Sequence, residues 1–198
     1  MFSIFFQQFI AGFFVKALAS FDDTLTRVPL IAEITGGKLG KIAFSIGTLL
    51  ALTVVLLIAV SLSAFLNLLP FTRLIIAGLI LLLAVAVYFE VFIGRQDEKL
   101  RERFQRTNLS RERFIKLIGI GFLVSLITLI DDSLVLASLF IGDRLNRFAV
   151  VIGIYAATLV QITVVIYFGE QLNKFRYKKE VAVLALVILA MLILIGII

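Results

Sequence analysis

Two adjacent pairs of aspartates, Asp22-Asp23 and Asp131-Asp132, are the residues of this sequence best suited to chemistry. Each pair lies within a run of Leu, Ile, Val, Phe and Ala residues rather than in a polar loop. A carboxylate at the middle of a membrane-spanning helix costs roughly 2.5–3.5 kcal/mol of insertion free energy. Such residues by default face the bundle interior and mark an ion or substrate path. Adjacent residues point about 100° apart on a helix. One Asp of each pair is therefore expected to face a central site and the other a neighbouring helix. Oxygen ligands of this kind suit hard divalent cations such as Mg, Ca and Mn. The chain has no Cys and no His, which excludes disulfides, thiolate chemistry, Cys/His zinc sites and imidazole catalysis. An intramembrane aspartyl protease would carry Tyr-Asp and Gly-x-Gly-Asp motifs, and neither occurs. The expectation is a protein that is not an enzyme and has no resident cofactor, with a hard divalent cation (Mn, Ca or Mg) as its cargo.

Hydroxyls and amides gather near these carboxylates. Ser20, Thr24 and Thr26 flank the first pair, Thr128 and Ser133 the second, and Thr48, Thr53, Thr158, Gln161 and Thr163 interrupt the apolar segments that follow. In lipid, such groups often hydrogen-bond between helices, and that is the expectation for any single Ser or Thr; their duplication beside the Asp pairs makes them candidate supporting oxygen ligands. Two cations, Lys16 and Arg27, share the first acidic segment. Arg27 follows Asp23 by four residues, the spacing of a same-helix ion pair. Lys16 precedes Asp23 by seven and is expected to approach the same face. Internal pairing is thus the plainer alternative to a transport site. With both cations buried, two negative charges remain on the four aspartates, matching one divalent cation or two protons. Pro29 removes one backbone bond and crowds the carbonyl of Leu25. A break is therefore expected just beyond Asp23, as in discontinuous transporter helices.

The elements that must position these groups are read from composition and charge. Of 198 residues, 62% are hydrophobic and 16% charged, with a mean hydropathy of +1.14. Soluble domains average about 45–50% apolar and roughly 25% charged. An all-α integral membrane protein is the expectation, with lipid as its principal partner. Six apolar stretches are long enough to span, at about 8–33, 42–66, 70–93, 115–141, 148–169 and 181–198. Pro70 suits the first turn of the third, and Ser110 with Glu112 favours the start of the fourth. Fourteen Lys and Arg residues fall on one side of this arrangement, and only Arg73, Arg144 and Arg147 on the other. The richer side is expected to be cytoplasmic, with both termini outside the cell membrane. The formal charge of +6 then reports orientation, not a nucleic-acid partner. Ala17-Leu18-Ala19 resembles a signal-cleavage site, but no basic residue precedes the apolar run, so the segment is read as a span. Long apolar faces on spans three and six leave room for a homodimer.

The sequence contains itself twice. Gly12-Phe-Phe-Val-Lys-Ala-Leu-Ala-Ser-Phe-Asp-Asp-Thr-Leu aligns without a gap on Gly121-Phe-Leu-Val-Ser-Leu-Ile-Thr-Leu-Ile-Asp-Asp-Ser-Leu. One residue later in register, Thr48 falls on Thr158 and Thr53 on Thr163. Lys16 and Arg27 have no basic counterparts; Ser125 and Leu136 take their places. The expected organisation is repeat one at residues 1–94, a basic cytoplasmic loop at 95–114, and repeat two at 115–198. An odd number of spans per repeat inverts the second copy, an architecture of secondary transporters whose sites lie where the repeats meet.

Ser20-Phe-Asp-Asp-Thr-Leu and Leu129-Ile-Asp-Asp-Ser-Leu-Val-Leu-Ala resemble the acidic motifs of the LysE superfamily of six-span exporters. An acidic motif repeated in spans one and four is similar to the CadD cadmium-resistance and TerC families, which adds Cd to the cations implied, although TerC motifs typically read Asp-Asn where this chain reads Asp-Asp. The resemblance implies that Asp22, Asp23, Asp131 and Asp132 are metal ligands. The function expected is secondary transport of a divalent metal cation, as an exporter or cation–proton antiporter, through paired aspartates near the midplane. Export of cationic amino acids or other small organic cations is the alternative within the same superfamily.

Overall fold

A computed structural model describes residues 2–20, 38–68, 70–88, 111–141, 147–173 and 178–195. Among the described residues there are seven helices and no strand. These are α1 (Phe2–Ala19), α2 (Lys38–Leu66), α3 (Thr72–Tyr88), α4 (Arg111–Leu129), α5 (Asp132–Ser138), α6 (Arg147–Asn173) and α7 (Lys178–Ile195). Apolar runs of this length fold as helices because each backbone N–H and C=O must find its partner within the segment when water is absent. Two prolines in the whole chain leave little to interrupt them.

α2 and α6 are long and apolar enough to cross a membrane, over Leu39–Leu66 (28 residues) and Arg147–Tyr167 (21 residues). At 1.5 Å per residue these reach about 42 and 31 Å, against a hydrocarbon core of about 30 Å. α4 and α5 pass the same test only together, bent by 63° at the break between them. The apolar stretches of α1, α3 and α7 are shorter, at Ile4–Ala19, Leu74–Val85 and Val183–Ile195. Among the described residues there are two full-length helices, one broken pair and three shorter helices.

Boundaries differ from expectation. α1 begins at Phe2 and carries Gln7 and Gln8 within the helix, because side-chain amides do not disturb a backbone that already satisfies itself. Pro70 lies in the turn before α3. Phe71, at φ 60°, accepts the N–H groups of Leu74 and Ile75 on its carbonyl and so opens the helix itself. Ser110 and most of the basic loop lie outside the described residues. So do Asp22, Asp23, Thr24, Thr26, Arg27 and Pro29.

Packing joins helices that are distant in sequence. The most extensive pairs are α1 with α6, α2 with α4, and α3 with α7. Glycines let the first two pairs touch backbone to backbone. A Cβ added at Gly12 would stand 2.4 Å from the Val150 carbonyl oxygen, and one at Gly153 would stand 2.2 Å from that of Phe9. Across the other crossing, Gly47 would meet the Ile118 oxygen at 2.3 Å and Gly121 the Phe44 oxygen at 2.6 Å. Small residues at crossings are the usual means of close helix packing in lipid. Both pairs run parallel. Gly12 lies at Val150, and further along the Ala17 carbonyl accepts from Gln161 Nε2 at 3.4 Å. Gly121 lies at Phe44, and Ser125 four residues later meets Thr48.

The short α5 sits at the centre, packed against α2, α1 and α3. Val15, Leu52, Val55, Ile80, Leu136, Phe140 and Leu189 form the core around it. The outer faces are apolar too: Leu57 is 65% exposed and Leu82 67%. A soluble monomer seldom shows contiguous apolar surface on this scale, so the exterior suits lipid.

Candidate functional site

The fourth apolar segment breaks where its acidic pair stands. α4 ends at Leu129, Ile130 and Asp131 form a turn, and α5 starts at Asp132. Neither proline nor glycine marks the place. Asp131 Oδ1 instead accepts the Asp132 N–H at 3.0 Å, and Ser133 Oγ donates to the Ile130 carbonyl at 2.5 Å. Local side-chain bonds of this kind offer the backbone an alternative to the helical ladder.

Asp132 is 3% exposed and Lys16 wholly buried. Lys16 Nζ donates to Asp132 Oδ2 at 2.5 Å. Ser20 Oγ accepts from the same ammonium and donates to the same carboxylate oxygen, closing a three-membered polar cluster. Lys16 lies in the last turn of α1 and Asp132 in the first turn of α5. A cation at a helix C-terminus and an anion at an N-terminus are each favoured by the helix dipole, so both helices support the pair. Asp132 Oδ2 thus receives two donors, while Oδ1 has no hydrogen-bond partner among the described residues. Asp131 is half-buried beside it.

The structure gives Lys16 a carboxylate partner that spacing alone does not name. Lys16 pairs across the bundle with Asp132, which a same-helix rule does not reach. Arg27 and Asp23 lie outside the described residues. Among those residues no three acidic side chains gather.

The remaining polar groups divide by position. Buried Thr48 meets buried Ser125 at 2.8 Å between hydroxyls. Thr158 donates to the Ile154 carbonyl at 3.0 Å and Thr128 to that of Val124 at 3.1 Å. Gln161 ties α6 to α1 as described above. Thr53 and Thr163 are on the exposed surface and bond back to Leu49 and Leu159 carbonyls at 2.9 and 2.8 Å. Thr53 also meets the Tyr155 hydroxyl at 2.7 Å. Of the supporting residues expected from sequence, Ser20 joins the buried pair directly and Ser133 holds the break.

Ser125 and Tyr155 were not among the expected site residues. A signal for Ser125 existed: it aligns with Lys16, and its partner Thr48 was already singled out.

No protein-family model, no curated protein sequence and no solved structure matches the chain.

Proposed function

We propose that this chain is a secondary transporter of divalent metal cations, an exporter or cation–proton antiporter of the LysE-superfamily kind. The observation that carries the reading is a buried carboxylate, Asp132, at a break in an apolar helix pair and tied to the end of α1 by Lys16 and Ser20. Chain connectivity adds the first acidic pair to the second. Asp22 and Asp23 follow Ser20 by two and three residues in sequence. Together with Asp131 and Asp132, the two aspartates of the first motif would supply carboxylate oxygens of the kind a hard cation takes.

The helix pairing supports two inverted repeats of three spans, 1–94 and 115–198. The first helix of each half packs along the second helix of the other, and the third helices pack on each other. Parallel packing of α1 with α6 and of α2 with α4 fits odd with odd and even with even crossings. In this reading the termini face outward from the cell membrane, and the two halves rock about the acidic break. The Asp pairs hold metal when ionised and release it when protonated or when the site opens.

One observation favours the second reading. Asp132 already receives an ammonium, that of Lys16, which is also the headgroup of a cationic amino acid. Proteoliposomes separate the two. Uptake of manganese(II) that an excess of lysine does not reduce supports metal transport. Lysine uptake without manganese uptake replaces it with the organic-cation exporter.

A further inference from the structure

We infer that Lys16 is a tethered competitor within the cation site, its ammonium occupying one oxygen of Asp132 and leaving only the other to an incoming ion. The inference rests on the metal-transport reading and names a residue that sets how tightly the site holds its cargo.

A carboxylate can hold a cation through both oxygens. Here Oδ2 is taken twice, by Lys16 and by Ser20, whereas Oδ1 is buried without a hydrogen-bond partner among the described residues. A buried acceptor without a donor is unfavourable, and a cation satisfies it. An ion arriving at Oδ1 meets a fixed positive charge on the same carboxylate. Coulomb repulsion grows with the charge of the arriving ion, so a divalent cation is opposed twice as strongly as a monovalent one. The ammonium cannot leave the neighbourhood, because Lys16 lies on α1 and α1 packs against α5. Ser20 holds both partners and fixes which oxygen is blocked. The device belongs to one half only, since Ser125 stands where the repeat would place a second lysine. A carrier gains from such an arrangement, because a site must bind strongly enough to load and weakly enough to release.

The test is manganese(II) binding to purified full-length protein in detergent, followed by calorimetry, for wild type, Lys16→Gln and Lys16→Arg, each checked for monodispersity. Lys16→Gln should tighten manganese(II) at least tenfold, and sodium much less. Lys16→Arg should weaken it, because a guanidinium engages both carboxylate oxygens at once. A residue with only a structural role would not move affinity in opposite directions. Should Lys16→Gln fail to fold, the weakening in Lys16→Arg carries the test, and unchanged or tighter binding there overturns the inference. Wild-type binding that Lys16→Gln leaves unchanged overturns the inference and spares the metal reading. No manganese(II) binding by any folded variant overturns both.

Discussion

Lys16 Nζ lies 2.5 Å from Asp132 Oδ2 although 116 residues separate the two in sequence. Both are buried, so the pair fixes the end of α1 to the start of α5 in surroundings where neither charge meets water. Removing one partner of such a pair leaves the other buried and uncompensated, at a cost of about 3–5 kcal/mol. Asp132→Ala should therefore unfold at markedly lower temperature in detergent. Adding Lys16→Met to it should recover much of the loss, since an apolar pair of similar volume leaves no buried charge. Equal stability of Asp132→Ala and wild type would contradict the pairing.

The glycine crossings make a second prediction. At Gly153 and Gly12 the atoms met by a new Cβ are backbone, at 2.2 and 2.4 Å, and no side chain can turn aside. Gly153→Ala should push α1 from α6 and destabilise by about 1–3 kcal/mol, as overpacking does. Gly78, on α3, has nothing within 4 Å of its Cβ position. Gly78→Ala should be neutral or slightly stabilising. Thermal unfolding of the two variants side by side reads the difference.

Hydroxyls that hold helices together should separate from those that face outward. Thr48 and Ser125 bond to each other inside the bundle. Interhelical hydrogen bonds in membranes average about 0.6 kcal/mol and reach about 1.7. Thr48→Val should lose an amount in that range, and the Ser125→Ala loss should not add to it in the double variant. Thr163→Val, at an exposed hydroxyl bonded to its own helix, should leave the unfolding temperature unchanged.

Topology is open to direct labelling because the chain has no cysteine. Leu68 is 80% exposed in the turn between α2 and α3, on the face assigned to the exterior. Lys99 lies in the basic segment assigned to the cytoplasm. Leu68→Cys should react with a membrane-impermeant maleimide in intact cells, and Lys99→Cys only after permeabilisation. Labelling of both from one side would overturn the six-span arrangement.

The helices themselves were legible as apolar runs, but their faces were not. In α2 the inward Leu52 and the outward Leu57 are the same residue type, since lipid and core are equally apolar and no amphipathic stripe separates them. For the same reason, Thr53 and Thr48 look alike in sequence yet lie outside and inside. The acidic pair at Asp131-Asp132 was legible as the centre of interest. The break there was not, because neither proline nor glycine announces it and Pro29 drew the expectation to the other repeat. Pairing of Lys16 with Asp132 was hidden because spacing rules see one helix at a time. What pointed to it was indirect: a lone lysine in an apolar segment, with no basic equivalent in the second repeat.

The most direct test of the central claim is uptake of manganese(II) into proteoliposomes carrying a lumenal pH dye, comparing wild type with Asp22→Asn and Asp131→Asn. The second substitution retains the side-chain oxygen that accepts the Asp132 N–H, so it removes charge without removing that bond. Shared carboxylate transport predicts manganese entry with a rise in lumenal pH as protons leave, and loss of both signals in each variant. Flux that persists in both, or folded wild-type protein that carries none of Mn, Ca, Cd or Mg ions, would contradict it.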